Sequence, residues 1–224
     1  MPHIYSEKAA NELAFWESRV RHQGVLSNDH FEYYYTTHFG LSREFYRDKK
    51  ILDIGCGPRG SLEWANEASL RVGLDPLAAA YVRLGVVRHK MKYVACGAER
   101  IPFPDRFFDV VCSFNSLDHV DDLERVVGEI TRVVSPGGDF LLLSDIHSRP
   151  TTMEPAAFSW DVTAKFAPAF ELVDCGQFEQ AAVTAEGFGD IYQSLLKAVP
   201  YNHAVLTDRY GILSAKFRRR KQEQ

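Results

Sequence analysis

From Lys50 onward, short apolar runs alternate with stretches in which apolar residues recur at helical spacing. This alternation predicts parallel strands joined by crossover helices, because parallel strands cannot be connected by a tight turn. The predicted strands are Ile51–Ile54, Leu70–Leu74, Tyr93–Ala95, Val110–Phe114 and Phe140–Ser144, and the predicted helices are Leu62–Ala68, Leu77–Val87 and Asp122–Val134.

The last part of the chain departs from this alternation. Ala169–Cys175 and Gly211–Phe217 read as strands, and Asp190–Ala198 reads as a helix between them. Two final strands without a full crossover predict an antiparallel pair at one edge of the sheet. The fold class is therefore α/β, with a seven-stranded mixed sheet, helices on both faces and the last strand antiparallel.

Residues 1–49 have a different composition, rich in aromatic, histidine and charged residues. Leu13, Trp16 and Val20 recur at helical spacing, and aromatic residues do so from Phe31 to Phe39. We expect a helical cap or lid over residues 1–49, forming one compact unit with the domain of residues 50–224.

The composition of the chain argues against some classes of binding partner. The 224 residues are 46% hydrophobic and carry a formal net charge of −4, so no overall positive field attracts nucleic acid or anionic lipid. Four cysteines without a CxxC pair favour a reducing compartment and indicate neither a disulfide framework nor a metal site. Residues 1–21 lack the apolar region of a secretory signal, and no run approaches 18 apolar residues. We expect a cytoplasmic protein without nucleic-acid or membrane partners.

The segment after the first strand, Asp53-Ile-Gly-Cys-Gly-Pro-Arg-Gly60, is the most informative in the chain. Gly55, Gly57 and Gly60 satisfy the GxGxxG pattern of dinucleotide sites, in which glycines let the backbone approach a ligand closely. Asp53 argues against a dinucleotide, because a carboxylate beside a pyrophosphate repels it. A ligand with cationic groups would be attracted instead.

This arrangement closely resembles the first motif of class I S-adenosylmethionine-dependent methyltransferases, and the resemblance covers residues 50–145 well. It implies a Rossmann-like sheet, S-adenosyl-L-methionine as cofactor and S-adenosyl-L-homocysteine as product, with a homodimer left open. The loop residues assigned to the cofactor are Asp53, Gly55, Cys56, Gly57, Pro58 and Gly60.

Asp75 ends the second predicted strand. A carboxylate at this position can accept hydrogen bonds from both ribose hydroxyls of a nucleoside, and the resemblance implies that role for Asp75. Pro76 and Leu77 would flank the adenine. Asp75 can also serve as the N-cap of the helix that follows, which is compatible with ribose binding.

The third strand is followed by Gly97-Ala98-Glu99, where the resembled family commonly has Asp-Ala-Glu. In that family the Asp side chain binds the adenine amine, and the next backbone N–H meets the ring. Gly97 removes the side-chain contact but leaves the N–H of Ala98. Glu99 either replaces the missing carboxylate or leaves the adenine to be held by packing.

The fourth strand ends in Asn115-Ser-Leu-Asp-His119. Ligands bind at the carboxyl ends of parallel strands, so Asn115 is expected near the methionine part of the cofactor. His119 is the candidate catalytic base, because an imidazole can accept and donate protons, although a histidine here can equally cap or pack. The Pro136-Gly-Gly138 turn after the helix is structural.

The expected reaction is methyl transfer to an O, N or C atom of a small organic acceptor. The acceptor wall is expected from the N-terminal aromatics with His38, and from the segment after the fifth strand that holds Asp145, His147 and Glu154; the insertion 186–203 is a further candidate to close the pocket. Two alternatives remain: a non-catalytic partner subunit with this fold, which the Gly97 departure keeps open, and an NAD(P)-dependent oxidoreductase.

Overall fold

A single seven-stranded sheet organises the computed structural model, which describes residues 6–26, 28, 31–151, 154–155, 157–180, 191–205 and 210–221. The strands lie in the order β3-β2-β1-β4-β5-β7-β6. β7 is antiparallel to both neighbours, and the other pairs are parallel. The seven predicted strands and the antiparallel position of the last one are confirmed. The bounds are β1 Lys50–Ile54, β2 Leu70–Leu74, β3 Lys92–Val94, β4 Phe108–Phe114, β5 Val134–Ile146, β6 Phe170–Glu179 and β7 Gly211–Arg219.

One face of the sheet packs against α4 (Leu123–Val133). The helix begins at Asp122, whose carboxylate accepts the Arg125 N–H at 3.0 Å, and Val126, Ile130 and Val133 face the sheet. These three positions are fully buried at the spacing of one helical stripe. Four stacked or tilted phenylalanine rings complete this face, those of Phe140, Phe166, Phe170 and Phe217.

The N-terminal aromatics cover the opposite face. The short helix α2 (Glu32–Tyr35) and the 3₁₀ turns Thr37–Phe39 and Arg43–Tyr46 place their rings against β1, β4 and β5, and α5 (Ile191–Lys197) packs beside them. Residues 31–46 therefore form a layer of the core. The helix α1 (Glu7–Gln23) lies apart from this layer, against α3 (Ala78–Tyr81) and the loop after β1.

Two of the predicted helices differ from the structure: one is absent and the other is shorter than predicted. Leu62–Ala68 forms turns, because Trp64 packs its ring against Tyr35 and Tyr46, and burying that side chain overrides local helical preference. The helix predicted over Leu77–Val87 is α3 followed by two 3₁₀ turns. The predicted helix Asp190–Ala198 corresponds to α5, although Asp190 lies outside the described residues.

The Pro-Gly-Gly segment follows the end of α4 and lies within β5, where it bulges from the sheet. Register jumps from Phe108 opposite Val134 to Val110 opposite Asp139, so residues 135–138 have no partners on β4. Among the described residues, no helix is both long and apolar enough to cross a bilayer.

Candidate functional site

The glycine loop leaves the carboxyl end of β1 in left-handed conformations, with φ of 68° at Gly55 and 55° at Gly57. A Cβ on Gly55 would lie 2.7 Å from Ser116 Oγ and closer still to Ser116 Cβ. A Cβ on Gly57 would lie 3.0 Å from the Trp16 ring of α1. The sequence predicts that these glycines let the backbone approach a ligand; in the structure, the side chains of Ser116 and Trp16 also lie where a Cβ on Gly55 or Gly57 would be.

Asp53 is buried on β1, with 2% of its surface exposed. One carboxylate oxygen accepts hydrogen bonds from the Tyr35 hydroxyl at 2.9 Å and from the Ser61 hydroxyl. Burial raises the pKa of Asp53 to about 7, against the opposing effect of the two hydroxyl donors. Ser61, which directly precedes the predicted helix Leu62–Ala68, thus helps to hold this carboxylate.

Asp75 lies across the loop from Asp53, at the end of β2, and is 7% exposed. Its two oxygens accept the backbone N–H groups of Gly57 at 3.1 Å and Leu77 at 2.8 Å. Burial raises the pKa of Asp75 to about 6, and the charge of Asp75 raises that of Asp53. The carboxylate retains lone pairs for further donors, because each oxygen can accept more than one hydrogen bond.

Helix α1 supplies groups that the sequence patterns did not assign to the site. Trp16 lies against Gly57 and donates its indole N–H to Glu12 at 2.7 Å. The charge of Glu12 adds to the raised pKa of Asp75, which places this carboxylate near the loop. The buried Tyr81 hydroxyl has no hydrogen-bond partner among the described residues, and Asp75 contributes to its raised pKa. In the sequence, these residues are distinguished only by helical periodicity, and that pattern indicates packing and not ligand binding.

The Glu99 carboxylate lies close to Gly97, where the sequence departs from the resembled family. One Glu99 oxygen lies 2.8 Å from the place of a Cβ on Gly97, and the other accepts the Asp121 N–H at 3.0 Å. Glu99 thus brings a carboxylate to the place where an aspartate side chain at position 97 would begin. Ala98 beside it is buried.

Asn115 follows β4 in a left-handed conformation, with φ of 53°. Its N–H donates to the Leu143 carbonyl at 2.8 Å, while its buried Oδ1 has no hydrogen-bond partner among the described residues. An unsatisfied buried acceptor indicates a site for a donor from a ligand. His119 ends a 3₁₀ turn, and its Nε2 lies 4.0 Å from Asp118 Oδ1, beyond hydrogen-bond distance.

The remaining predicted cofactor residues have varied surroundings. Cys56 and Pro58 are buried in the loop, and burial raises the pKa of the Cys56 thiol. Leu77 packs against α1 in the cluster that contains Leu13, and Pro76 is exposed. The structure therefore brings the loop, Asp75, Glu99 and Asn115 to one edge of the sheet.

The chain is similar in sequence and in fold to several methyltransferases. Residues 52–142 match a family described as a methyltransferase domain. The chain is 30% identical over 165 residues to a sterol 24-C-methyltransferase of Aspergillus fumigatus, covering 60% of this chain and 44% of that protein. It is 29% identical over 121 residues to the chloroplastic tocopherol O-methyltransferase of Arabidopsis thaliana, covering 50% and 35%. The aligned residues thus span less than half the length of these curated relatives.

Solved structures share the fold over most of the chain. The N-methyltransferase NodS from Bradyrhizobium japonicum, in complex with S-adenosyl-L-homocysteine, has a TM-score of 0.60 at 17% identity, covering 95% of this chain and 97% of that one. An S-adenosylmethionine-dependent methyltransferase from Mesorhizobium loti has a TM-score of 0.55 at 19% identity, covering 78% and 92%. At these identities the likeness shows the fold.

Proposed function

We propose that the chain carries a class I S-adenosylmethionine-dependent methyltransferase domain, that it binds this cofactor at the loop after β1 and that it methylates an O, N or C atom of a small organic acceptor. The observation that carries the proposal is the pair of buried carboxylates beside the loop, Asp53 and Asp75. Their pKa values are raised to about 7 and about 6, so ionising both without a ligand is unfavourable.

A cationic ligand relieves this cost, and an anionic one increases it. S-adenosylmethionine carries an ammonium and a sulfonium group, whereas a dinucleotide would bring a pyrophosphate to the same loop. Electrostatic interactions between buried charges are strong because water screens them little. The pair of carboxylates therefore favours the methyl donor over NAD(P).

Each of the neighbouring polar groups is proposed to contact a different part of the ligand. The unused lone pairs of Asp75 accept the ribose hydroxyls, and the backbone of Ala98 with the Glu99 carboxylate meets the adenine. The unpartnered Oδ1 of Asn115 accepts a hydrogen bond from the methionine ammonium. Each assignment uses a group that can form further hydrogen bonds beyond those it makes within the protein.

When bound, S-adenosylmethionine supplies the electrophilic methyl carbon and the thioether leaving group. The residues of the chain hold the reactants in line and exclude water, which is the main requirement for an in-line displacement. Where the acceptor must lose a proton, His119 is the proposed base, because it follows the end of β4 and is partly exposed.

A small-molecule acceptor is favoured by the composition and by the relatives. The net charge of −4 gives no field toward nucleic acid. The relatives are named for tocopherol, sterol and quinone methylation, and all three acceptors are small organic molecules.

The test is transfer of an isotopically labelled methyl group from S-adenosylmethionine to the small-molecule fraction of a cell extract, read by mass spectrometry. We expect at least one metabolite to gain the label with the parent chain and with Asp105→Asn, which removes an exposed carboxylate paired with Arg132. We expect Asp75→Ala to abolish labelling. No labelled product, together with no binding of S-adenosyl-L-homocysteine, would favour a non-catalytic partner subunit.

A further inference from the structure

Four chemically active side chains meet at the carboxyl ends of β4 and β5. Asp118 and His119 follow β4, His147 directly follows β5, and Glu154 lies in the next segment. One ligand atom each from Asp118, His119 and Glu154 lie within 4.8 Å of one another. The Nε2 atom of His147 lies 3.8 Å from Asp118 Oδ2 and 3.9 Å from Glu154 Oε2.

The centre of this cluster is buried without hydrogen bonds. The Asp118 side chain is 0% exposed, and neither of its oxygens has a hydrogen-bond partner among the described residues. The Nε2 atom of His147 also has none within that part of the chain. Buried polar atoms are nearly always paired, since leaving a carboxylate bare in the interior is strongly unfavourable. Unpaired atoms on both Asp118 and His147 therefore indicate a ligand between them.

The His147 ring is held in the orientation that a metal ligand requires. Its Nδ1 lies 3.0 Å from the Arg149 carbonyl oxygen, which can only accept, so Nδ1 carries a proton. Nε2 faces the carboxylates of Asp118 and Glu154, and a metal ion bound there takes the place of the second ring proton. Metal-binding histidines commonly donate their second nitrogen to a backbone carbonyl in this way.

We propose that Asp118, His119, His147 and Glu154 bind a divalent transition-metal ion of the Zn²⁺ or Mn²⁺ type. Ligand atoms about 2.0–2.1 Å from a tetrahedral ion lie roughly 3.4 Å apart. Three of the separations are 3.8–4.0 Å, and the ligand atoms of Asp118, His119 and Glu154 lie within 4.8 Å of one another, so the cluster is wider than this value. Binding of the ion would require the partly exposed Glu154 and His119 side chains to rotate inward.

The charge and ligand chemistry of the cluster select the class of ion. Two imidazoles with two carboxylates suit Zn²⁺ and Mn²⁺, whereas Mg²⁺ and Ca²⁺ prefer sites made of oxygen alone. Asp118 and Glu154 place two carboxylates in the cluster. A divalent cation offsets this concentration of negative charge.

This site does not depend on the proposed methyl transfer, and it changes one assignment within it. A His119 nitrogen bound to a metal cannot also accept a proton, so an occupied site removes His119 as the base. No local sequence pattern indicates this metal site, because the four ligands come from three separated segments and include no cysteine.

The test measures metal directly, without an activity assay. The full-length, untagged chain is stripped with a chelator, titrated with Co²⁺ or with Zn²⁺, dialysed and analysed by mass spectrometry for retained metal. We expect one retained ion per chain, with visible Co²⁺ absorption typical of imidazole and carboxylate ligation. Asp118→Asn and Glu154→Gln should each weaken binding by at least about tenfold, because changing even the hydrogen-bond partners of metal ligands has an effect of this size. His22→Gln, which removes an exposed imidazole of α1, should leave it unchanged.

Three results would overturn the proposal: no retained metal, retention unaffected by both ligand variants, or equal loss in His22→Gln. Circular dichroism establishes which variants are folded. Should Asp118→Asn not fold, Glu154→Gln decides, because Glu154 lies in a partly exposed segment outside the strands.

Discussion

Two independent constraints, the backbone conformation and the packing of a neighbouring side chain, both require glycine at position 55. Its φ of 68° disfavours any side chain, and Ser116 occupies the space that a Cβ would need. Ser116 in turn donates to the Ile54 carbonyl at 2.7 Å, which joins the ends of β1 and β4. The glycine therefore serves the contact between two strands as well as the loop.

Gly55→Ala is expected to lower the free energy of unfolding by roughly 2–4 kcal/mol, since it adds steric overlap to backbone strain. Gly128→Ala is the matched control. Gly128 lies inside α4 with open space around it, so alanine should raise stability by about 0.5–1 kcal/mol through helix propensity. Urea denaturation measures both. Equal stability changes in the two variants would contradict this account of Gly55.

Asp53 predicts a pH dependence of folding. Its pKa rises from 3.8 to about 7 on folding, so the folded chain binds the proton more tightly than the unfolded chain. This contribution to stability is complete below about pH 4 and is lost as pH rises through 7. Asp53→Asn should flatten the stability profile between pH 4 and 7 relative to the parent.

Tyr35→Phe provides the opposite change at the same carboxylate. The Tyr35 hydroxyl lowers the pKa of Asp53, so removing it should move the loss of stability to higher pH. Chemical denaturation of the unliganded chain at several pH values measures both variants. Profiles for Asp53→Asn and Tyr35→Phe that shift in the same direction would refute the assignment.

Among the elements, α1 connects the N-terminal region to the candidate site. Trp16 covers Gly57, Lys8 forms an ion pair with Asp121 at 2.6 Å, and the Arg59 guanidinium lies over the Trp16 ring at 5.6 Å. These contacts place the helix against the loop that the cofactor is proposed to use. We infer that α1 retains the bound ligand.

Trp16→Ala should therefore speed dissociation of S-adenosyl-L-homocysteine by about tenfold, a change of roughly 1.4 kcal/mol. Phe15→Ala is the control, because Phe15 precedes Trp16 on the same helix and is 42% exposed. Stopped-flow fluorescence or surface plasmon resonance gives the dissociation rates. Equal rates for the parent and Trp16→Ala would exclude a retaining role for the helix.

Sequence patterns predicted the elements in which buried residues recur at a regular spacing. They failed where contacts between distant segments override the local preference for a helix. β1 to β7 and α4 follow from apolar runs and a helical stripe, whereas Leu62–Ala68 has the composition of a helix and forms turns around Trp64. The layer at residues 31–46 could not be separated from α1, because apolar residues recur at helical spacing in both segments. Contacts between distant segments decide such cases.

For the whole molecule, the motifs located the candidate site but not its internal contacts. Asp53, Asp75 and Asn115 were identified because they lie at strand ends along the ligand-binding edge. The groups on Asp53 and beside Asp75, which include Tyr35, Ser61 and Glu12, come from other segments, and no local pattern distinguishes them from core residues. The cluster around Asp118 was missed for the same reason.

The central claim is that two buried carboxylates make this glycine loop a site for a cationic methyl donor. Calorimetric titration of the parent chain with S-adenosyl-L-methionine, S-adenosyl-L-homocysteine and NADH tests it most directly. We predict binding of the first two with dissociation constants on the order of micromolar, or about −8 kcal/mol, and none of NADH. Micromolar binding of NADH without binding of either S-adenosyl compound would contradict the account.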